Sequence, residues 1–230
     1  MSRTADRPAQ GEALSRAVWD VLARQGLEKL TVRAVAAAAG CTTGLVMHRF
    51  PNRRALLRHA RELLHETTRR RVEALEAAAT SPRAALRAVL RQGLATDPET
   101  VNESVVWTGF LAAAVADDEL IGMHRRNNRA WRERIERLVA AAAMDRLGER
   151  APTAAAADRP AERAPTAAAD RPGERVPTAD WPAERVATVA LALIAMAEGA
   201  AALAAADPVA YPAGDQERML DAALAAYGLS

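Results

Sequence analysis

Residues 30–57, LTVRAVAAAAGCTTGLVMHRFPNRRALL, constrain the fold more than any other stretch of the chain. Thr31 can cap a first short helix, and Gly40 can end that helix in the left-handed conformation that glycine adopts readily. Thr42 or Thr43 can cap a second short helix directly afterwards. The spacing therefore predicts two short helices around a tight turn, which is the layout of a helix-turn-helix.

The second short helix has an inner and an outer face. Val46 and Phe50, four positions apart, share the face that turns toward a core, and Pro51 stops the helix. Asn52 can cap the long helix that follows, and its first turn carries Arg53 next to a second arginine. Cations oppose the helix dipole at an N-terminus, and a nearby phosphate would explain their position.

Residues 12–60 resemble the TetR family of transcriptional regulators, through T-V-R-A-V-A, A-A-G, the helix ending at Phe50, and P-N-R-R-A-L-L. The chain departs from the family in having Leu45 and Met47 where Thr and Tyr are usual, and Arg49 where His is usual. The resemblance implies a three-helix head that binds an operator in double-stranded DNA, with the second short helix as recognition helix. Two heads of a dimer would enter successive major grooves, roughly 34–36 Å apart.

The head offers two kinds of DNA contact. Hydroxyl, guanidinium and helix N-terminal amide groups bind phosphate and set the register, whereas side chains in the major groove read bases. We assign backbone contacts to Thr31, Arg33, Thr42, Arg49 and Arg53, and groove contacts to Thr43, Gly44, Leu45, Met47 and His48.

Composition predicts an all-helical protein. Half of the residues are apolar but only 3% are aromatic, alanine is abundant, and alternating Val/Ile/Thr runs are absent. The single cysteine, Cys41, excludes an intramolecular disulfide, and the polar N-terminus has no export pattern, so we expect a cytoplasmic protein. Residues 1–60 carry a net charge of +6 and the remainder −4. This asymmetry suits a DNA-binding head attached to a body that avoids phosphate.

The predicted organisation has three parts. Residues 1–10 form a disordered tail, 11–58 the helix-turn-helix head, and 59–230 a larger helical bundle that binds ligand and dimerises. A helix over 53–79 joins head and bundle. Within the bundle, three degenerate copies of an APTAAADRPAER-like unit predict a disordered loop over 149–179.

Two stretches of the bundle resemble the TetR subgroup with a BetI-type C-terminal domain. The first is VVWTGFLAAAVADDELIGMHRRNNRAWRERI, and the second is ALALIAMAEGAAALAAADP with its Glu198-Gly199 pair. The nearly uncharged run 186–206 has the length of a membrane span, but it is alanine-dominated, contains Glu198 and lacks an aromatic belt. We interpret it as a helix covered on all sides, forming a homodimer interface through helices at about 183–206 and 215–227.

Catalytic and metal-binding patterns are missing from the sequence. The four histidines have no ligand spacing, and there is no nucleophile elbow or glycine-rich phosphate loop, so we predict neither enzyme activity nor a cofactor. The acids at 117–119 are adjacent and would start a helix rather than converge. For an unknown small-molecule effector we predict a site formed by Trp107, Phe110, Leu111, Asn127, Trp131 and Met196. Thr108, Asn128 and Glu198 could help to orient the occupant.

The function implied is repression that a small molecule relieves. Two other interpretations stay open from the sequence. A helical small-molecule-binding or scaffold protein without DNA binding is favoured by the apolar Leu45 and Met47. An enzyme would need a catalytic group that the sequence does not reveal.

Overall fold

The computed structural model describes residues 6–150 and 181–230, and all the regular secondary structure in these two ranges is helical, with no β-strand. The all-helical prediction is confirmed. The helices are α1 (Asp6–Gln25), α2 (Val32–Ala39), α3 (Thr43–Arg49), α4 (Arg53–Ala78), α5 (Pro82–Gln92), α6 (Pro98–Ala114), α7 (Asp118–Arg150), α8 (Ala183–Ala206) and α9 (Ala213–Tyr227), with a 3-10 turn at Leu27–Lys29.

The predicted caps of the head are confirmed. The side-chain oxygens of Thr31, Thr42 and Asn52 accept hydrogen bonds from backbone amides at the starts of α2, α3 and α4. Gly40 ends α2 at φ 62°. These local bonds satisfy amides that have no partner within their own helices, and they fix the sharp turns between α2, α3 and α4.

Some boundaries differ from the prediction. α1 begins at Asp6, so part of the predicted tail is helical; Pro8 does not prevent this, because the first helical turn needs no donor there. α5 ends at Gln92 rather than near residue 96. α7 reaches Arg150, and the predicted loop at 149–179 lies, from residue 151 onward, outside the described residues.

The head and the bundle share one hydrophobic core. Leu30, Val35 and Val46 of the head belong to the same buried cluster as Val106 and Phe110 of α6. Packing therefore continues across the predicted boundary at residue 58. A second cluster, centred on α5, α7, α8 and α9, fills the far end of the bundle.

α8 is the one helix in the described ranges that is long and apolar enough to cross a membrane. Length and composition alone do not distinguish such a span from the core helix of a globular protein. Here Val189, Leu193 and Ala197 are buried against the neighbouring helices. α8 is therefore a core helix on at least one side, as the sequence predicted.

The turn after α5 depends on a buried glutamine. The side-chain oxygen of Gln216 accepts a hydrogen bond from the backbone N–H of Ala95 at 3.0 Å. The side-chain NH2 of Gln216 donates one to the backbone carbonyl oxygen of Ala95 at 2.9 Å. Gln216→Leu leaves both peptide groups buried without a partner, so we expect the free energy of unfolding to fall by about 2–4 kcal/mol. Chemical denaturation measures this change. The matched substitution at exposed Gln25 should have almost no effect, and equal losses from both variants would contradict the assignment.

His59 makes the stability of the head depend on pH. It shares a 2.8 Å hydrogen bond with Ser15 and lies 4.8 Å from the Phe50 ring centroid. Burial, then the charges of Arg49 and Arg58, lower the pKa of His59 below its ordinary 6.5. The unfolded chain consequently takes up this proton first, and stability falls as the pH drops below about 6.5 toward the lowered pKa.

We expect His59→Gln to weaken this loss of stability between pH 7.5 and 5. Thermal melts of both proteins across that range measure the difference in stability. The other histidines are the same in both proteins, so their contribution cancels in the comparison. His48→Gln, at an exposed position, is the control and should keep the wild-type slope. The idea fails if His59→Gln also keeps it.

Candidate nucleic-acid interface and ligand cavity

α3 presents the predicted groove-contacting residues on its outer side. Thr43, Gly44 and His48 are exposed, and Met47 is 54% exposed. Leu45 is half-buried and packs against the head core, so its side chain is partly used for folding. The inner side of α3 is held by Val46, which is completely buried.

The predicted phosphate-contacting residues are all exposed. The Thr31 and Thr42 hydroxyl oxygens accept hydrogen bonds from backbone N–H groups, with N···O distances of 3.1 and 3.3 Å. Each hydroxyl hydrogen is therefore still available to donate. Arg49 lies 5.8 Å from the Phe50 ring centroid. Arg53 forms an exposed, long ion pair with Glu28 at 3.8 Å, and such pairs contribute little to stability.

The second arginine in the first turn of α4 has a role that the sequence did not reveal. Arg54 pairs with Asp117 at 2.8 Å, and Arg58 pairs with Glu119 at 3.0 Å. Asp117 also accepts hydrogen bonds from the amides of Glu119 and Leu120, which confirms the predicted helix start. The Leu120 amide is the main cause that lowers the pKa of Asp117. The acidic turn thus connects the head to the start of α7.

A cavity of about 230 Å³ lies between α4, α5, α6, α7 and α8. It is slightly smaller than the roughly 300–1,000 Å³ of typical ligand pockets, which favours a compact occupant. Leu64, Leu90, Ile194, Trp107 and Trp131 form much of its apolar wall. No group of metal-ligating side chains occurs in the part of the chain that the structure describes.

The structure brings half of the predicted ligand-site residues together. Trp107, Asn127 and Trp131 line the cavity, as do Asn128 and Glu198. Phe110, Leu111 and Met196 do not. Phe110 is buried in the core shared with the head, and Met196 packs in the second core. Thr108 is exposed outside the cavity.

Sequence reasoning missed Arg61, the most unusual group in the wall. It is 6% exposed, and its guanidinium carbon lies 4.7 Å from the Trp107 ring centroid. Burial lowers the pKa of Arg61 to about 10, so it stays cationic at neutral pH. The available indication was its position between Leu57 and Leu64, because the spacing places all three on the buried face of one helix.

Two acids also line the cavity. Burial raises the pKa of Glu103, although Arg71 of α4 lies 3.1 Å away. Burial likewise raises the pKa of Glu198 on α8, and the charge of Arg61 opposes that rise. The cavity is therefore an apolar chamber with a few charged groups held out of bulk water, as ligand sites usually are.

Two protein-family models match the chain. The model for bacterial regulatory proteins of the tetR family matches residues 16–60, and the model for the BetI-type transcriptional repressor C-terminal domain matches residues 82–164. The first covers the helix-turn-helix of the structure, and the second starts at α5 and takes in the helices that form one side of the cavity.

Two regulators are similar in sequence. The chain is 27% identical over 114 residues to the HTH-type transcriptional regulator PksA of Bacillus subtilis (strain 168), and 30% identical over 131 residues to BetI of Stenotrophomonas maltophilia (strain R551-3). These matches cover 50% and 56% of this chain, and 56% and 66% of the respective relatives. The chain thus spans less than two thirds of either relative.

Solved structures share the fold. A transcriptional regulator from Rhodococcus sp. Rha1 is 24% identical with a TM-score of 0.70, and the match covers 94% of each chain. A regulator from Saccharomonospora viridis in complex with choline is 13% identical with a TM-score of 0.69, covering 95% of this chain and 96% of that one. The helix-turn-helix, the helical bundle and both family models agree: the chain belongs to the TetR family of transcriptional regulators and has a BetI-type C-terminal domain.

Proposed function

We propose that the protein is a dimeric, ligand-responsive repressor of transcription, which binds a near-palindromic operator and leaves it when a small molecule fills the cavity. One observation carries the proposal: α4 starts in the core of the DNA-binding head and also forms a wall of the cavity. We propose a regulatory rather than a catalytic activity, and a cytoplasmic location for the protein. The BetI-type repressor model supports the direction of control.

DNA contact follows from the exposed face of α3 and its surroundings. Thr43, Gly44, Leu45, Met47 and His48 face the major groove, with His48 able to hydrogen-bond a base edge and Leu45 to touch a thymine methyl. Thr31, Arg33, Thr42, Arg49 and Arg53 bind the phosphates on either side.

Dimerisation is proposed to use the outer faces of α8 and α9. The outer face of α8 carries Leu191 and Leu203, which are 51% and 49% exposed, together with exposed Ala195 and Gly199. Small and apolar side chains allow two helices to approach closely, and covering the leucines removes apolar area from water. α9 continues the face with exposed alanines at 222, 225 and 226.

Ligand control is proposed to pass through α4. Leu56 and Leu57 fix its first turns in the head, whereas Arg61, Leu64 and Thr68 face the cavity farther along. A ligand that contacts α4 differently in two orientations shifts the balance between them and moves the heads relative to each other. The Saccharomonospora viridis regulator, which shares this fold, was solved in complex with choline, and this supports a small molecule as the effector.

Two substitutions on the head separate phosphate contact from base reading. Arg53→Ala should weaken binding to all DNA sequences similarly and reduce the salt slope of log K by about two, because each subunit of the dimer loses one phosphate contact. His48→Ala should change the preferred base at one position of each half-site. Selection from a random DNA pool identifies the operator, and fluorescence anisotropy at several salt concentrations measures affinity.

The control is Arg132→Ala, which removes an exposed arginine of α7 from a surface ion pair. It should leave affinity and salt slope unchanged. Uniform loss from both Arg53→Ala and His48→Ala would contradict the division of roles. Absent or salt-insensitive DNA binding by the wild type would favour a ligand-binding protein without DNA binding.

A single charge on α8 should separate the subunits. A Cβ added at Gly199 meets no atom within 4 Å in the monomer, so Gly199→Glu is tolerated by the fold yet buries a carboxylate at the proposed interface. We expect a monomer by light scattering and operator affinity reduced at least about a hundredfold, because both half-sites must be held together. Ala77→Glu, on the exposed side of α4, should remain dimeric. A dimeric Gly199→Glu would refute this interface.

A further inference from the structure

Arg61 is a buried cation without an acid to pair with. No carboxylate among the described residues lies within 4 Å of its guanidinium, and its Nε is buried without a hydrogen-bond partner. The rings of Trp107 and Phe110 lie beside it, with centroids 4.7 and 5.6 Å from the guanidinium carbon. Rings compensate a charge less completely than an anion does, and an unpaired buried charge is costly.

The other arginines in the cavity wall are already neutralised. Arg69 contacts Glu66 at 2.9 Å and Glu73 at 2.8 Å, and Arg134 contacts Glu76 at 2.5 Å. Their partners lie on α4 and outside the cavity lining. Arg61 is therefore the cation of this wall that is left to recognise an occupant.

The acids of the wall do not compensate Arg61. Glu103 is held by Arg71 at 3.1 Å and by the Gln92 amide at 3.3 Å. Glu198 lies more than 4 Å from the Arg61 guanidinium, so its charge acts on Arg61 only at a distance. Burial raises the pKa of Glu198, and the charge of Arg61 opposes that rise.

The aromatic wall is also partly occupied. A quaternary ammonium ligand needs free aromatic faces around it. Here the Arg61 guanidinium already lies over Trp107, and a second cation beside it would be repelled. Elsewhere the wall contains polar side chains as well, but the aliphatic Leu64, Leu90 and Ile194 suit a hydrocarbon body.

We propose that the cavity binds a compact monocarboxylic acid, with the carboxylate on the Arg61 guanidinium and the hydrocarbon body against Leu64, Leu90 and Ile194. The proposal rests on the function proposed above, since it names the chemical class of the effector. Charge-assisted hydrogen bonds from a planar guanidinium are the strongest that a carboxylate can receive in such a site.

Matched ligand pairs test the class. Isothermal titration calorimetry on the full chain compares phenylacetate and hexanoate with phenylacetamide and hexanamide, and with choline. We expect the two carboxylates to bind at least roughly tenfold more tightly than their neutral amides, with no measurable choline binding. Amides that bind equally well, choline that binds more tightly, or no binding by either carboxylate would overturn the proposal.

Arg61→Met tests the residue. We expect a loss of at least roughly tenfold in carboxylate affinity, with amide affinity unchanged. Its melting temperature without ligand should equal or exceed that of wild type, because the substitution removes an unpaired buried charge. Arg132→Met, at an exposed position, should bind as wild type does. Full carboxylate affinity in Arg61→Met would refute the role of Arg61. If this variant does not fold, the comparison of carboxylates with amides on the wild-type protein still decides the proposal.

Operator binding without ligand is measured separately on the same protein. If the operator is bound but carboxylates are not, the proposed effector class fails while the proposed function stands. If carboxylates bind through Arg61 but no DNA is bound, the proposed function fails while the ligand assignment stands.

Discussion

The continuity of α4 is the constraint on which the rest of the structure depends. Its first turns carry Leu56 and Leu57 into the core of the head, and its middle forms a wall of the cavity. A helix without a break transmits a change of tilt from one end to the other, because its hydrogen-bonded backbone resists local bending. The ion pairs of Arg54 and Arg58 with the start of α7 tie the same helix to the bundle.

The two ends of the molecule differ in their packing and polarity. The head is held by a core of large aliphatic side chains and by threonine and asparagine caps, which leaves the outer face of α3 free. In the bundle, the shared core and the second core surround a cavity in which charged groups are held out of bulk water. Removing a charge from water costs free energy. Buried charges therefore occur mainly where they recognise a ligand or a partner helix.

Much of the fold could be predicted because its determinants are local. Thr31, Gly40 and Thr42 act on residues three or four positions away, so their capping roles follow from spacing alone. The turn after α5 could not be predicted in this way. It depends on Gln216, a residue 121 positions from Ala95, and no local pattern reveals such a pairing.

The amino-acid sequence by itself determined the helical class, the helix-turn-helix and the exposed residues of α3, because caps, turns and helical periodicity operate within a few residues. Only the tertiary structure decided which groups meet in the cavity. Arg61 and Glu198 come from helices far apart in the chain, and Arg54 finds its acids on α7. Burial and charge pairing depend on what lies across the interior, and that arrangement exists only after the helices have packed.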